Sequence, residues 1–271
     1  MTDRARVRVP IPSMKEGVSE LDAAAAHYLV RVHRLESGGH FLAFDPARAL
    51  EADGELVALH PSVVARIGPL RPAALRGKRE ITWIQALPKG EKMDSIVRDA
   101  TELGATRIVP VTTTFTVVKL EGPRREARRE RWERIASEAA RQCGRGDAPR
   151  VLPVTTWEEA LGSAPLEDST GGEARFCLYE KAAVPLGPLL RDVLCSARTS
   201  AVTFAVGPEG GLSEREVLDA GARGFAVVSL GPFTLRAETV VAATLGALGV
   251  LEGLADDFVG NLRDEPGARS T

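Results

Sequence analysis

The sequence predicts an α/β protein in two parts, a small β-barrel of about seventy residues followed by a mostly parallel sheet with helices on both faces. Three observations carry this. Residues 1–70 hold short apolar runs between turn signals. From residue 80 the rhythm changes to strand, helix, strand. Two loops, Gly207-Pro208-Glu209-Gly210-Gly211 and Gly231-Pro232, each follow an apolar run and precede a helical pattern. Side-by-side strand–loop–helix units of this kind build a ligand crevice at the strand ends of an open sheet.

In the first part, Val7–Val9, His40–Phe44 and Glu55–Leu59 read as strands, and Asp53-Gly54 as a hairpin turn. His27–Leu35 is a short helix candidate, and Arg71–Lys78, with Pro72 and Gly77, a linker. Ile81–Leu87 is the first strand of the second part. Glu91–Leu103 follows as a helix with Met93, Ile96, Val97, Ala100 and Leu103 on one face. Arg107–Val111 is the next strand. Residues 124–143 form a long helix with Trp132, Ile135, Ala136 and Ala139 on its apolar side, stopped by Gly144. Thr156–Leu161 is a short helix and Ser163–Glu173 a surface loop. Arg175–Tyr179 and Ala201–Val206 are strands separated by a helix over 186–194. Ser213 and Glu216 make a capping box, and Gly224 ends the helix it starts. Phe225–Leu230 is a strand and Ala237–Leu254 the last helix. The predicted domains are 1–74 and 78–255, with a flexible tail over 256–271.

A hydrophobic content of 44% and a charged content of 27% in 271 residues describe an ordinary globular protein. No apolar run reaches the length of a membrane span, and the N-terminus lacks a secretory core, so a cytoplasmic protein with no membrane association is expected. Cys143, Cys177 and Cys195 are scattered and form no C-x-x-C pair, which argues against a disulfide framework or a zinc site. All four histidines lie at 27, 33, 40 and 60. The second part therefore has neither a Ser-His-Asp triad nor a histidine metal site, and no metal is expected. Acid–base work there falls to Glu, Asp, Arg, Lys or backbone groups.

The net charge of -2 hides an asymmetry. Pro123–Gly146 carries eight arginines against four glutamates, a local +4. Such a stripe can meet a polyanion, and it can equally be a solvated helix face of Glu–Arg pairs; charge alone favours the second. The 207–211 loop is neither a Walker loop nor a G-x-G-x-x-G. Its glutamate suits a ligand with donors or positive charge.

These residues resemble the bacterial 16S ribosomal RNA uracil-N3-methyltransferases of the SPOUT superfamily. The resemblance rests on His27–Val32 with Arg34-Leu35, Lys89-Gly90-Glu91-Lys92, Thr101–Gly104, Val117–Leu120, Glu138–Ala140 with Gln142–Arg145, Gly207–Gly211, and Leu230-Gly231-Pro232 with Leu235–Thr239. The last two loops at this spacing are the most specific. The resemblance implies an N-terminal PUA-like β-barrel for RNA binding and a C-terminal trefoil-knotted SPOUT domain. It implies S-adenosylmethionine as cofactor, a homodimer, and small-subunit ribosomal RNA or the 30S particle as partner. The implied cofactor residues are Leu178, Gly207, Pro208, Glu209, Gly210, Gly211, Leu230, Gly231, Pro232, Leu235, Arg236 and Thr239. The catalytic candidates are Glu238, for handling the N3 proton or orienting the cofactor, and Arg236 and Arg145, for stabilising a uracil anion or gripping phosphate. Arg31, Arg34, Lys89, Lys92, Arg128, Arg129 and Arg131 are the RNA-binding candidates. Three positions depart from the family pattern: Thr114-Phe115-Thr116 stands for Glu-Arg-Ser, Phe233 for an arginine after Leu-Gly-Pro, and Arg141 for a glutamate. A ribose 2′-O-methyltransferase of the same superfamily and a non-catalytic RNA-binding relative are the alternatives.

Overall fold

The computed structural model describes residues 7–75, 79–118, 120, 122–162, 172–195 and 199–263. The predicted linker residues 76–78, loop residues 163–171 and tail residues 264–271 lie outside them. The chain divides into two compact units, Met1–Lys78 with Glu130–Arg150, and Arg79–Arg129 with Val151–Thr271. Residues 130–150 thus group with the N-terminal part, whereas the sequence boundary at 74–78 places them in the second domain.

The first unit is built on a six-stranded sheet ordered β1-β3-β4-β5-β2, with β6 paired to β4. Its strands are β1 (Arg8–Pro10), β2 (Gly17–Glu20), β3 (His40–Asp45), β4 (Leu50–Ala58), β5 (Val64–Ile67) and β6 (Arg71–Pro72). Val9, Met14, Leu29, Phe41 and Leu56 are among its buried core residues. Asp53-Gly54 is not a hairpin turn. It sits within β4, with Gly54 opposite Phe41 of β3. A Cβ at Gly54 would lie 2.4 Å from the Phe41 ring, so the glycine is there to admit the aromatic side chain. The short helix also begins earlier than predicted. Asp22 caps α1 (Ala23–Ala26) by accepting from the Ala25 N–H at 2.7 Å. The chain then widens into a π-helical segment, His27–Val32, where the His33 N–H reaches back to the Tyr28 carbonyl. Arg71–Pro72, predicted as linker, pairs with Leu50 and Glu51.

The second unit holds a seven-stranded sheet ordered β10-β8-β7-β12-β11-β13, with β9 paired to β8. Its strands are β7 (Glu80–Ala86), β8 (Arg107–Thr112), β9 (Arg150–Val151), β10 (Thr155–Thr156), β11 (Gly172–Leu178), β12 (Thr199–Val206) and β13 (Ala226–Val228). All registers along the ordered path are parallel. The middle strands read ITWIQA and AVTFAV because both faces are covered. Trp83 and Phe204 are fully buried with ring centroids 5.8 Å apart. The helices are α2 (Lys92–Glu102), α3 (Pro123–Cys143), α4 (Trp157–Gly162), α5 (Leu186–Cys195), α6 (Glu214–Ala222) and α7 (Ala237–Arg263). α3 runs from the second unit into the first. α7 continues nine residues past the predicted Leu254.

Parallel registry decides where a site can form. Leu178 pairs with Val206 and with Val228, and Val206 pairs with Gln85, so these strands end on one edge of the sheet. The loops after β7, β8, β11, β12 and β13 all leave from that edge, where open α/β sheets bind ligands.

Candidate functional site

The two glycine loops meet around a cavity of about 370 Å³, within the ordinary range of about 300–1,000 Å³ for small-molecule sites. Leu178 closes β11 beneath it, Gly207–Gly211 forms one wall, and Leu230, Gly231 and Phe233–Arg236 form the other. The first wall is anchored in the core. Buried Gln85 accepts from the Trp83 indole N–H at 2.9 Å and donates to the carbonyls of Ala86 and Gly207 at 3.0 and 3.3 Å. A buried amide with its partners satisfied is a rigid strut.

Glycine is required here for two physical reasons. Gly231 sits at φ +147, a conformation that disfavours any side chain. At Gly210 a Cβ would come within 2.9 Å of the Phe115 Cβ. The loop can therefore pack against its neighbour only without a side chain.

Charged residues cluster at the rim. Glu209 accepts from the backbone N–H of Lys89 at 3.2 and 3.1 Å and pairs with the Lys92 ammonium at 2.9 Å. Burial alone would raise the Glu209 carboxyl; the contacts to Lys92 and Lys89 outweigh it and hold the group below its usual range. The same contact with Glu209 raises Lys92 above the ordinary lysine value. Lys92 also faces Glu238 at 3.9 Å. Glu238 Oε2 is buried and accepts no hydrogen bond from a described residue. Arg236 lines the cavity and is exposed.

A second carboxylate fixes the neighbouring loop. Glu216, 5% exposed, takes hydrogen bonds from the Thr114 N–H at 2.7 Å and hydroxyl at 3.1 Å. It also takes both Ser213 groups, each at 2.8 Å, completing the predicted capping box. Burial would raise this carboxyl, but the donors from Thr114 and Ser213 prevail and lower it. The 113–116 turn is closed by the Thr116 N–H to Thr113 carbonyl bond at 3.0 Å. A second cavity of about 390 Å³ opens beside it, lined by Leu87, Lys89, Thr114–Val117, Glu209 and Gly210.

Of the residues singled out in the sequence, Leu178, Gly207, Pro208, Glu209, Gly210, Gly211, Leu230, Gly231, Leu235 and Arg236 line the first cavity. Pro232 and Thr239 belong to the same loop and helix start without lining it; the Thr239 N–H bonds to the Arg236 carbonyl. Arg145 belongs to the first unit. It is buried there, with its guanidinium on the Asp147 carboxylate at 2.7 Å. Arg31 and Arg34 are exposed in the first unit, Arg34 at φ +54. On α3, Arg129 is paired with Glu126. Arg128 is half-buried and Arg131 exposed.

The sequence reasoning does not single out Tyr179, Glu180, Leu212, Thr234 or Val240 as lining residues. Glu180, whose carboxylate would meet a Cβ on Gly211 at 3.3 Å, stands two residues past the end of β11. Its position after a strand parallel to β12 is the signal that could have found it. Cys177 is fully buried, and burial pushes its thiol up to about 12, which removes it as a nucleophile. Among the described residues no group of three potential metal-ligating side chains occurs, and no helix is long and apolar enough to cross a membrane.

Residues 76–249, which include both glycine loops, match the model of the RNA methyltransferase domain. The chain belongs to that family. It is 32% identical over 87% of its length to the ribosomal RNA small subunit methyltransferase E of Synechocystis sp., covering 74% of that protein. It is 29% identical over 86% of its length to the protein of the same name from Mycobacterium bovis, covering 87% of it. Among solved structures it is similar to a ribosomal RNA small subunit methyltransferase E from Neisseria gonorrhoeae bound to S-adenosylmethionine. That likeness has a TM-score of 0.78 and 28% identity over 91% of this chain and 98% of the other. A methyltransferase from Legionella pneumophila, in complex with the same cofactor, matches with a TM-score of 0.78 and 25% identity over 90% and 97% of the two chains. As a member of the RNA methyltransferase family, the chain carries the cavity within the family's matched region.

Proposed function

We propose that the chain methylates N3 of a uridine in small-subunit ribosomal RNA, using S-adenosylmethionine held in the first cavity. The observation that carries this is the pair of glycine loops walling one cavity, with Arg236 on its lining and Glu238 at the adjoining helix start, in a member of the RNA methyltransferase family. The residues present fit the cofactor. Leu178, Leu212, Leu230 and Leu235 offer apolar walls for a planar base, and the 207–211 and 230–236 backbones offer donors and acceptors without side chains in the way. Glu180 supplies negative charge for a cationic ligand, while Glu209, held by Lys92 and the Lys89 N–H, shapes the loop. The relatives from Neisseria and Legionella, solved with this cofactor, support the same reading.

When bound, S-adenosylmethionine supplies an electrophilic methyl group that needs only a well-aligned nucleophile. The chain's own residues must prepare that nucleophile. The N3 proton of uracil lies on the pairing edge, so the base must be unpaired before the chain can act on it. Glu238 is the proposed proton acceptor: its buried Oε2 accepts no hydrogen bond from a described residue and lies 3.9 Å from the Lys92 ammonium. Arg236 stabilises the negative charge that grows as the proton leaves. Arg145 is the less favoured partner for that charge, because Asp147 already holds its guanidinium.

The same reading extends to the rest of the chain. The first unit serves as a PUA-like RNA-binding barrel, with Arg31 and Arg34 on its surface, and the second is a trefoil-knotted SPOUT domain. RNA phosphates are met by Arg128, Arg129, Arg131 and Lys89; Lys92 is the least favoured of the candidates, because Glu209 already holds its ammonium. The protein works in the cytoplasm as a homodimer. An exposed stripe of α7, Ala242, Ala243, Ala247 and Val250, supports the dimer, since it is apolar and small enough for close helix approach. The test is methyl transfer from labelled cofactor to unmodified small-subunit particles, followed by nucleoside identification. N3-methyluridine is expected. A 2′-O-methylated nucleoside or no incorporation would overturn the reading.

A further inference from the structure

We infer that the second cavity is a subsite for an unpaired pyrimidine base of the RNA, with Phe115 as its stacking face and Lys89 as its cation. This rests on the proposed methyl transfer to RNA and adds where the base is gripped.

Four observations point there. The cavity shares Glu209 and Gly210 with the first, so its occupant lies against the same loop as an occupant of the first cavity. Its wall is apolar yet open: Phe115 is 47% and Val117 64% exposed. Single exposed apolar residues are common, but this one is not on a slack loop. The turn that presents Phe115 is closed by Thr113 and Thr116 and tied to Glu216 through Thr114, and Gly210 packs against the Phe115 Cβ. An exposed aromatic side chain carried on a fixed turn is what a base can stack on, because every base has a π face.

Charge supplies the fourth observation. Glu209 is occupied by Lys92 and the Lys89 N–H. The Lys89 ammonium has no acidic partner among the described residues, and it lines the cavity. A cation there donates charge-assisted hydrogen bonds to the carbonyl oxygens of a pyrimidine. A purely apolar ligand would gain nothing from it.

The full-length protein tests this with two probes, a uridine pentanucleotide and the same backbone with abasic sugars. Phe115→Trp places a fluorescent ring at the stacking position. Saturable quenching by the uridine probe and none by the abasic probe is expected. Phe115→Ala should weaken the uridine probe about 5- to 100-fold and leave the abasic probe unchanged. Lys89→Met should weaken the uridine probe as well. Thermal melts check that each variant is folded, and Phe115→Trp keeps the question open if the alanine variant is not. Equal binding of both probes, or no base-dependent quenching, overturns the subsite. If the unaltered protein still methylates small-subunit particles in that event, the proposed function stands and only the subsite falls. Absence of methyl incorporation, with quenching present, overturns the methyl transfer and keeps the base subsite.

Discussion

The crevice loops and the arginine-rich helix α3 both stand out in the sequence, and the structure treats them in opposite ways. At the crevice, the meaning of each residue is local. Gly231 is set by its own backbone angle, Gly210 by one neighbouring side chain, and Ser213–Glu216 by a spacing of three. On α3 and just beyond it, a charge means nothing until its partner is known. Arg129 is taken by Glu126, Arg125 donates to the Val154 carbonyl, Arg141 lies over the Tyr28 ring at 4.2 Å, and Arg145 holds Asp147. Asp147, just outside the counted stretch, offsets one charge of the local +4, and the other contacts fix where those arginines point rather than cancelling them. Backbone geometry is written in neighbours along the sequence, whereas free charge is a tertiary property.

The sharpest way to break this comparison is at the glycines. Gly210→Val and Gly231→Val should each weaken S-adenosylmethionine binding by about 2.7 kcal/mol, a hundredfold, with the fold retained. The first forces a side chain into Phe115, and the second puts a β-branched residue at φ +147. Isothermal titration calorimetry measures both. If both variants bind the cofactor with unchanged affinity, the crevice is not its site.

Glu216 carries the next effect, on stability. Glu216→Ala leaves the Thr114 and Ser213 donors without their acceptor, at a cost of about 2–3 kcal/mol. The pH dependence follows from the lowered folded value. The carboxylate contributes fully above its unfolded value of about 4.3, and the contribution is lost as the pH falls through the lower folded value. Urea melts of the unaltered protein and of Glu216→Ala should therefore converge at acid pH and diverge above about pH 5. Parallel curves at all pH values would show that the carboxylate is not the source.

This difference also explains what could be read beforehand. The parallel sheet, the two loops and the capping box were legible because apolar runs, turn residues and a three-residue spacing encode them directly. The turn assigned to Asp53-Gly54 failed because that pair is a turn signal only when nothing opposite needs the space. Here Phe41 does. The π-helical widening at His27–Val32 has no periodicity of its own. Glu180 and Tyr179 escaped notice because strand order, not sequence distance, carries them to the cavity. The grouping of 130–150 with the N-terminal unit was invisible for the same reason.

The arginines on α3 should show an intermediate effect on RNA. Replacing Arg128, Arg129 and Arg131 with glutamate is expected to weaken binding of small-subunit RNA about tenfold near 0.1 M salt. Because Arg129 already has Glu126, the logarithmic salt slope should fall by less than the roughly 2–3 that three free phosphate contacts would give. Cofactor affinity should be unchanged. RNA affinity untouched by all three reversals would assign the stripe to solvation alone.

The smallest effect is expected at Lys92, and it sharpens the comparison most directly. Lys89 and Lys92 stand three residues apart and both read as RNA contacts in the sequence. Lys92 is bound to Glu209 at 2.9 Å and faces Glu238 at 3.9 Å, so its charge is spent inside the protein. The pair is partly exposed and screened by solvent, so Lys92→Met should leave the thermal midpoint nearly unchanged. Its effect on the salt slope of RNA binding should be close to zero, while Lys89→Met lowers that slope by about 0.7–0.9. Equal slope changes for the two lysines would mean that Lys92 releases its carboxylates to meet a phosphate. The rim would then be a mobile clamp, and Glu238 would gain a free carboxylate only when RNA arrives.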